Sequence, residues 1–378
     1  MNKHIYDNSV SYSPLHRQIS ESLRLSIIKG EFPQGARLPT IHEIAKKWKT
    51  SYFTAQTALT PLVAEGLLER RRRFGTVVAS GKRTLDTVGI YFGSDFMGSA
   101  EAGFYHRLYQ ELRTRIEKQK IGFKLWVDYR PEPEQDKPLP EMLKAILANE
   151  VQGLIIPWGN TTNISWLKEL PVASSFLGSA GGEGCVSADN RQMISLAIGK
   201  LREAGCRTVG TVAASEYFLG NTDGTAVTGR FKEGSFFASE CARQGLETRP
   251  EWMLYPDKPK NPTTLYGYER FHQLWSLRRR PEGLLVWPDV IVRGVVSAIL
   301  ELGVKVPSQL KTAFHRSKGI EPLCPFPSVW MELDVGAVAD ALLAQLVRRV
   351  KRQDSPSISI PFTVVDNSGS VESKMYMR

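Results

Sequence analysis

Two groups of residues in this 378-residue chain have types and spacing suited to chemistry, and both suit binding more than bond-making. The first is Arg70-Arg71-Arg72-Arg73-Phe74-Gly75, set between Leu67-Leu68-Glu69 and Thr76-Val77-Val78. Guanidinium groups at a hairpin tip can reach phosphates or a narrow minor groove. The second is a series at or near the carboxyl ends of predicted strands: Ser94, Asp95, Phe96, Trp158, Trp287, Asp289 and Trp330. Indole faces stack on sugar C–H surfaces or on bases, and carboxylates accept from hydroxyls. Signatures of catalysis are missing from the sequence: no G-x-x-x-x-G-K-[ST], no H-E-x-x-H, no G-x-S-x-G and no helix-opening G-x-G-x-x-G. His4, His16, His42, His106, His272 and His315 lack metal-ligand spacing. Cys185, Cys206, Cys241 and Cys324 make no C-x-x-C pair, which argues against a disulfide framework and fits a reducing cytoplasm. The expectation is a protein that is no enzyme and uses no cofactor and no metal.

The elements that must carry these residues divide by charge. Residues 1–83 hold 14 Lys+Arg against 6 Asp+Glu, so they supply +8 of a net +10. A basic module on a nearly neutral body suggests a polyanion-binding head with a second task behind it. At 42% hydrophobic and 23% charged residues, the chain can bury cores of ordinary size, and its length implies two or three domains. The N-terminal MNKHIYDNSVSYS lacks a signal-peptide stretch. The best apolar span, 283–304, is broken by Pro288, Asp289, Arg293 and Glu301, which argues against a membrane helix.

In the head, Leu15, Ile19, Leu23 and Ile27 recur every fourth residue as a helical stripe, with Arg17, Glu21, Arg24 and Lys29 between them. Thr40 with Glu43 is a capping box that starts a second helix at Ile41. Ser51 caps a third helix through Ala55, Ala58, Leu59, Leu62 and Val63, and Gly66 suits its C′ position. Pro61 inside that helix predicts a kink or break. Two helices across a tight turn form a helix-turn-helix, and the arginine hairpin is its wing.

This head resembles the winged-helix domain of the gluconate-repressor (GntR) family of bacterial transcription regulators over about 13–79. The resemblance is carried by Pro14, Gln18-Ile19, Gly30, Gly35, Leu38-Pro39-Thr40, Glu43, Ala45, Ser51, Thr54, Ala58-Leu59, Leu62, Glu65-Gly66-Leu67-Leu68 and Gly75-Thr76. It implies double-stranded operator DNA as partner, contacted by Thr40, His42, Ser51, Tyr52, Phe53, Thr54, Gln56, Arg71, Arg72, Arg73 and Gly75. His42, Tyr52 and Gln56 stand where family members usually carry arginine, so preference should move away from G-containing sites.

Beyond a linker at 81–86, strands and helices alternate every 25–35 residues. Val88–Phe92, Phe123–Val127, Val151–Pro157, Pro171–Phe176, Thr208–Val212, Gly283–Trp287 and Lys311–Phe314 read as strands. Such alternation builds parallel sheets with helices on both faces, and this length predicts two lobes. Ligands of open parallel sheets bind at the strands' carboxyl ends, so an inter-lobe cleft is the expected site.

The body resembles the effector domain of the lactose-repressor (LacI/GalR) family, which shares the periplasmic sugar-binding fold, over roughly 87–365. Its carriers are Thr87-Val88-Gly89-Ile90, Val151-Gln152-Gly153-Leu154-Ile155-Ile156, Val186-Ser187-Ala188-Asp189-Asn190, Leu201 to Gly205, Thr208-Val209-Gly210, Pro288-Asp289 and Leu302 to Pro307. The resemblance implies ligand contacts at Asp289 and Arg230, although Gly234 lies one residue beyond the usual Arg-x-x-Gly spacing. It also implies a homodimer. Where the family has Gly-Phe-Asp-Asp, this chain has Phe314-His315-Arg316-Ser317. A basic pair there would favour an acidic ligand, unless that loop lies outside the cleft.

The expected fold class is therefore multi-domain: an N-terminal winged helix-turn-helix (α+β), then a two-lobed α/β periplasmic-binding-protein-like domain with parallel sheets. The expected division is 1–80 head, 81–86 linker, 87–366 effector body and 367–378 tail. The expected function is a cytoplasmic, ligand-responsive, dimeric DNA-binding regulator, a repressor whose effector is a sugar-like small molecule. The alternative is a small-molecule-binding module whose winged helix serves protein contacts.

Overall fold

The computed structural model describes residues 14–64, 66–71, 74–79, 85–93, 102–157, 166–167, 170, 172–178, 182–214, 235–255, 263–351 and 353–366. No helix among these residues is long and apolar enough to cross a membrane.

The head is built from helices α1 (Leu15–Ile28), α2 (Ile41–Lys47) and α3 (Tyr52–Ala64), followed by strands β1 (Leu68–Arg71) and β2 (Gly75–Val78). Ile19, Leu23 and Ile27 of the α1 stripe meet Ile44 and Ala45 of α2 and Ala55, Ala58, Leu59 and Leu62 of α3 in one core. Leu15, the first member of the stripe, is exposed. Thr40 closes the capping box: its amide donates to Glu43 Oε2 at 2.7 Å, and its Oγ1 accepts from the Glu43 amide at 3.3 Å. The turn into α3 passes through Lys49 at φ +50°. Ser51 Oγ then accepts from the Thr54 amide at 3.0 Å and starts α3. The helix runs unbroken through Pro61 to Ala64, contrary to the expected break. Pro61 lies on the exposed side of α3, where water can take the carbonyl that proline leaves without a donor.

Arg24, expected among the polar residues of α1, is 5% exposed. Its guanidinium donates to the carbonyl of Leu147, at the end of helix α5 (Pro140–Leu147). A helix terminus leaves carbonyls without intrahelical donors, and a guanidinium there meets that need.

The body contains two six-stranded sheets. The first has the order β13-β7-β6-β5-β3-β4, from β3 (Thr87–Phe92), β4 (Gly122–Val127), β5 (Gly153–Ile156), β6 (Ala173–Leu177), β7 (Cys185–Ala188) and β13 (Ile358–Ile360). The second has the order β14-β12-β11-β10-β8-β9, from β8 (Val209–Ala213), β9 (Met253–Leu254), β10 (Gly283–Trp287), β11 (Lys311–Ser317), β12 (Val329–Leu333) and β14 (Phe362–Asp366). In the second sheet only β14 runs antiparallel, pairing with β12. The covering helices are α4 (Gly103–Lys118), α5, α6 (Asn190–Glu203), α7 (Phe236–Arg243), α8 (Thr264–Trp275), α9 (Asp289–Glu301) and α10 (Val335–Val350).

By internal contacts the chain forms two compact units. One comprises Met1–Ser94, Ile116–Phe176 and Ala344–Ser355, and the other Asp95–Arg115, Leu177–Leu343 and Pro356–Arg378. In the second unit, α8 and α9 pack backbone to backbone. A Cβ on Gly294 would lie 1.8 Å from the Thr264 carbonyl oxygen, and one on Gly267 would lie 2.2 Å from that of Ile291. This close approach fixes α9, whose first residue is Asp289.

Candidate DNA-reading head and ligand site

In the head, α3 contributes Tyr52 and Phe53 in its first turn, 46% and 76% exposed. The Tyr52 ring lies 4.9 Å from that of His42 on α2, so these two expected contact residues pack on each other at the surface. Gln56 is half-buried one turn further on. Thr40, Ser51 and Thr54 are present as expected, but their hydroxyls are engaged in capping. Thr40 Oγ1 donates to Glu43 at 2.9 Å, and the Ser51 and Thr54 hydroxyls share a hydrogen bond of 2.8 Å. These hydroxyls fix where α2 and α3 begin.

The wing pairs Leu68 with Val78, Glu69 with Val77, Arg70 with Thr76 and Arg71 with Gly75. Arg70 and Arg71 thus belong to β1 and not to the tip, and Arg71 is ion-paired with Glu69. Arg72 and Arg73 lie outside the described residues. Gly75 takes φ +94°, and the Arg37 guanidinium lies so close that a Cβ there would sit 3.3 Å from its Nε. Arg37 also bridges Val77, so a cation from the turn before α2 joins the wing. Sequence reasoning missed it, although a basic residue between Gly35 and Leu38 was the available signal.

In the second sheet, β10 and β11 run parallel, with Val286 opposite Phe314, so Trp287 and His315 emerge together at the carboxyl end. Their rings lie 6.4 Å apart. The chain turns from Trp287 into α9, and the Asp289 amide donates to His315 Nδ1 at 3.0 Å. Asp289 Oδ1 accepts from the Val290 amide at 2.8 Å. His315 Nε2 and Asp289 Oδ2 are buried and have no hydrogen-bond partner among the described residues.

This arrangement fixes the protonation of His315. Nδ1 accepts, so a neutral ring carries its proton on Nε2. Burial favours that neutral ring and pushes the imidazole down to about 4, with the Asp289 charge opposing the shift. Tyr105, in the first turn of α4, is held far above its ordinary value, first by burial and then by Asp289. The Phe362 ring covers His315 at 5.6 Å.

Two expectations are corrected here. The first concerns the basic pair. His315 is buried and neutral, and Arg316 is bound to Glu332 at 2.7 Å with its guanidinium 5.5 Å over the Trp330 ring. The parallel register that sets Arg316 beside Glu332 neutralises the charge read from sequence. The second concerns Trp330. It is the second residue of β12, 4% exposed, and packs on Phe314 at 5.6 Å in the core. Its strand places it away from the carboxyl end, so it is a core aromatic. Of the remaining expected ligand residues, the structure brings Trp287 and Asp289 together. Asp95, Phe96, Trp158 and Arg230 lie outside the described residues.

Comparison with known proteins agrees with this division of labour. Residues 15–78 match the model for bacterial regulatory proteins of the gntR family, and residues 198–367 match the periplasmic binding protein-like domain. The chain thus joins a GntR-type helix-turn-helix head to a periplasmic-binding-protein-like body. Among curated proteins, an uncharacterized HTH-type transcriptional regulator of Bacillus subtilis, YurK, is 35% identical over 92 residues, covering 24% of this chain and 38% of that protein. The chain therefore spans about two fifths of that relative's length. Among solved structures, a complex of the transcriptional regulator CelR with cellobiose aligns over 88% of this chain and 100% of its own, at TM-score 0.58 and 16% identity. The lac repressor dimer bound to operator and an anti-inducer aligns over 75% and 93%, at TM-score 0.56 and 15% identity. At such identities the likeness is one of fold.

Proposed function

We propose that this chain is a cytoplasmic transcription regulator that represses by binding operator DNA as a homodimer and alters that binding when its body takes up a small molecule. The head supports the DNA reading: a capped α2, a turn and α3, with exposed Arg37, Lys46, Lys47, Lys49, Arg70 and Arg71 around them. The gntR match of residues 15–78 and the operator complex of a protein with the same body fold support it further. Its role is binding and response, with no chemical step.

The observation that carries the ligand reading is the buried pair at the carboxyl ends of β10 and β11. Asp289 Oδ2 can only accept and His315 Nε2–H can only donate, and a hydroxyl, which both donates and accepts, is the neutral group able to meet either need. An uncharged hydroxylated molecule such as a sugar fits, and the half-buried Trp287 indole offers a face for its C–H surface. The cellobiose complex of CelR, a fold neighbour, is consistent with this class.

The test is a thermal-shift screen of the full chain against neutral sugars, uronic acids and sugar phosphates, followed by DNA affinity with the best binder. Binding to the folded state raises Tm by mass action. A neutral sugar should raise Tm and change DNA affinity by about 5- to 150-fold, the usual size of such coupling. Stabilisation by acidic compounds alone would overturn the ligand class.

A further inference from the structure

The helix placed to read DNA carries no charge. Tyr52–Ala64 reads YFTAQTALTPLVA, thirteen residues without an acid or a base. Exposed cations among the described residues sit on the elements next to it: Lys46, Lys47 and Lys49 at the end of α2 and in the turn, and Arg37, Arg70 and Arg71 on the wing side. Flanking cations suit phosphates, which position a protein without reading sequence. Base edges must then be read by neutral side chains on α3.

Most hydroxyls on α3 are already used. Besides Ser51 and Thr54, the Thr57 hydroxyl donates to the Phe53 carbonyl at 2.9 Å and the Thr60 hydroxyl to the Gln56 carbonyl at 3.3 Å. Tyr52 leans on His42. What stands out from the first turn is the Phe53 ring, 76% exposed, a large apolar group with no place in the core. A side chain of this kind is costly to leave in water and finds one apolar feature in the major groove, the C5-methyl group of thymine.

We propose that Phe53 is a specificity-determining residue that reads thymine methyl groups, so that the operator half-site has a required thymine opposite the first turn of α3. The inference rests on the DNA-binding reading above. It differs from reading guanine by guanidinium, because α3 has no guanidinium to offer.

The experiment starts from the full chain and a pool of random DNA duplexes, from which bound sequences are enriched. The selected duplex is resynthesised with deoxyuridine for each thymine in turn, which deletes one methyl and leaves pairing intact. Affinity is measured by fluorescence anisotropy at fixed salt. Wild type should lose about fourfold per contacted methyl, so about fifteenfold for two symmetric half-sites. Phe53→Ala should bind both duplexes equally while keeping the wild-type salt dependence, and Phe53→Leu should keep part of the discrimination. The exposed position makes both variants neutral toward folding, which a melting curve checks. Indifference of wild type to uridine, or equal methyl sensitivity in Phe53→Ala, overturns the proposal while DNA binding stands. Failure to enrich any duplex overturns the DNA-binding reading itself.

Discussion

Lowering the pH from 7 toward 4 should destabilise this protein through His315, and the magnitude follows from its burial. The imidazole is held at about 4, against an ordinary value of 6.5, because the charged ring would be buried and its second proton would fall on Nδ1, which faces the Asp289 amide donor. Between those two values the unfolded chain binds a proton that the folded chain refuses, so stability falls as pH falls. Above pH 6.5 the contribution is fully present. It declines by about 2 kcal/mol at pH 5 and by about 3 kcal/mol at pH 4. Carboxylates titrate in part of this range, so the informative quantity is the difference between wild type and His315→Asn. Asparagine can keep an acceptor for the Asp289 amide and has no titrating group. Urea unfolding of both proteins, followed by tryptophan fluorescence from pH 7 to 4.5, should show wild type losing stability faster than the variant as pH falls. Parallel curves would refute the buried neutral imidazole.

Other expectations follow from the same packing and the same site. Gly294→Ala should cost about 3 kcal/mol or more, because its new methyl meets the backbone of Thr264 at 1.8 Å, where no side chain can move aside. Gly199→Ala in α6 should have the opposite sign, stabilising by up to about 1 kcal/mol, since the new Cβ meets only the Gln244 side-chain oxygen, at an ordinary contact distance of 3.4 Å. Chemical denaturation reads both. Asp289→Asn keeps the carbonyl that accepts from Val290 but removes the buried charge, and should weaken binding of the neutral sugar found by thermal shift by about 10- to 150-fold in calorimetry. An unchanged affinity would remove Asp289 from the ligand site.

Much of the architecture was legible because local rules and packing agree there. The Thr40–Glu43 box, the Ser51 cap and the α1 stripe are short-range patterns that the tertiary structure leaves in place. Legibility failed where a distant partner decides. Arg24 reads as a solvated residue until the end of α5 supplies a carbonyl, and the basic pair His315-Arg316 reads as cationic until β12 brings Glu332 alongside. Trp330 carries a side chain fit for stacking, and only its register in β12 reveals a core position. Pro61 shows the converse, a local rule for breaking helices that yields on an exposed face. Helix α10 and strands β7, β9 and β13 went unread as elements. The shorter ones lack a periodic stretch long enough to declare them.

The account rests on the head gripping DNA through its flanking cations, and salt dependence tests that most directly. Each phosphate neutralised contributes about −0.9 to the slope of log affinity against log salt. For the full chain on its selected duplex the slope should be about −4 or steeper, and charge reversal of Arg71, Arg72 and Arg73 should flatten it. A shallow wild-type slope, or one that charge reversal leaves untouched, would contradict the account.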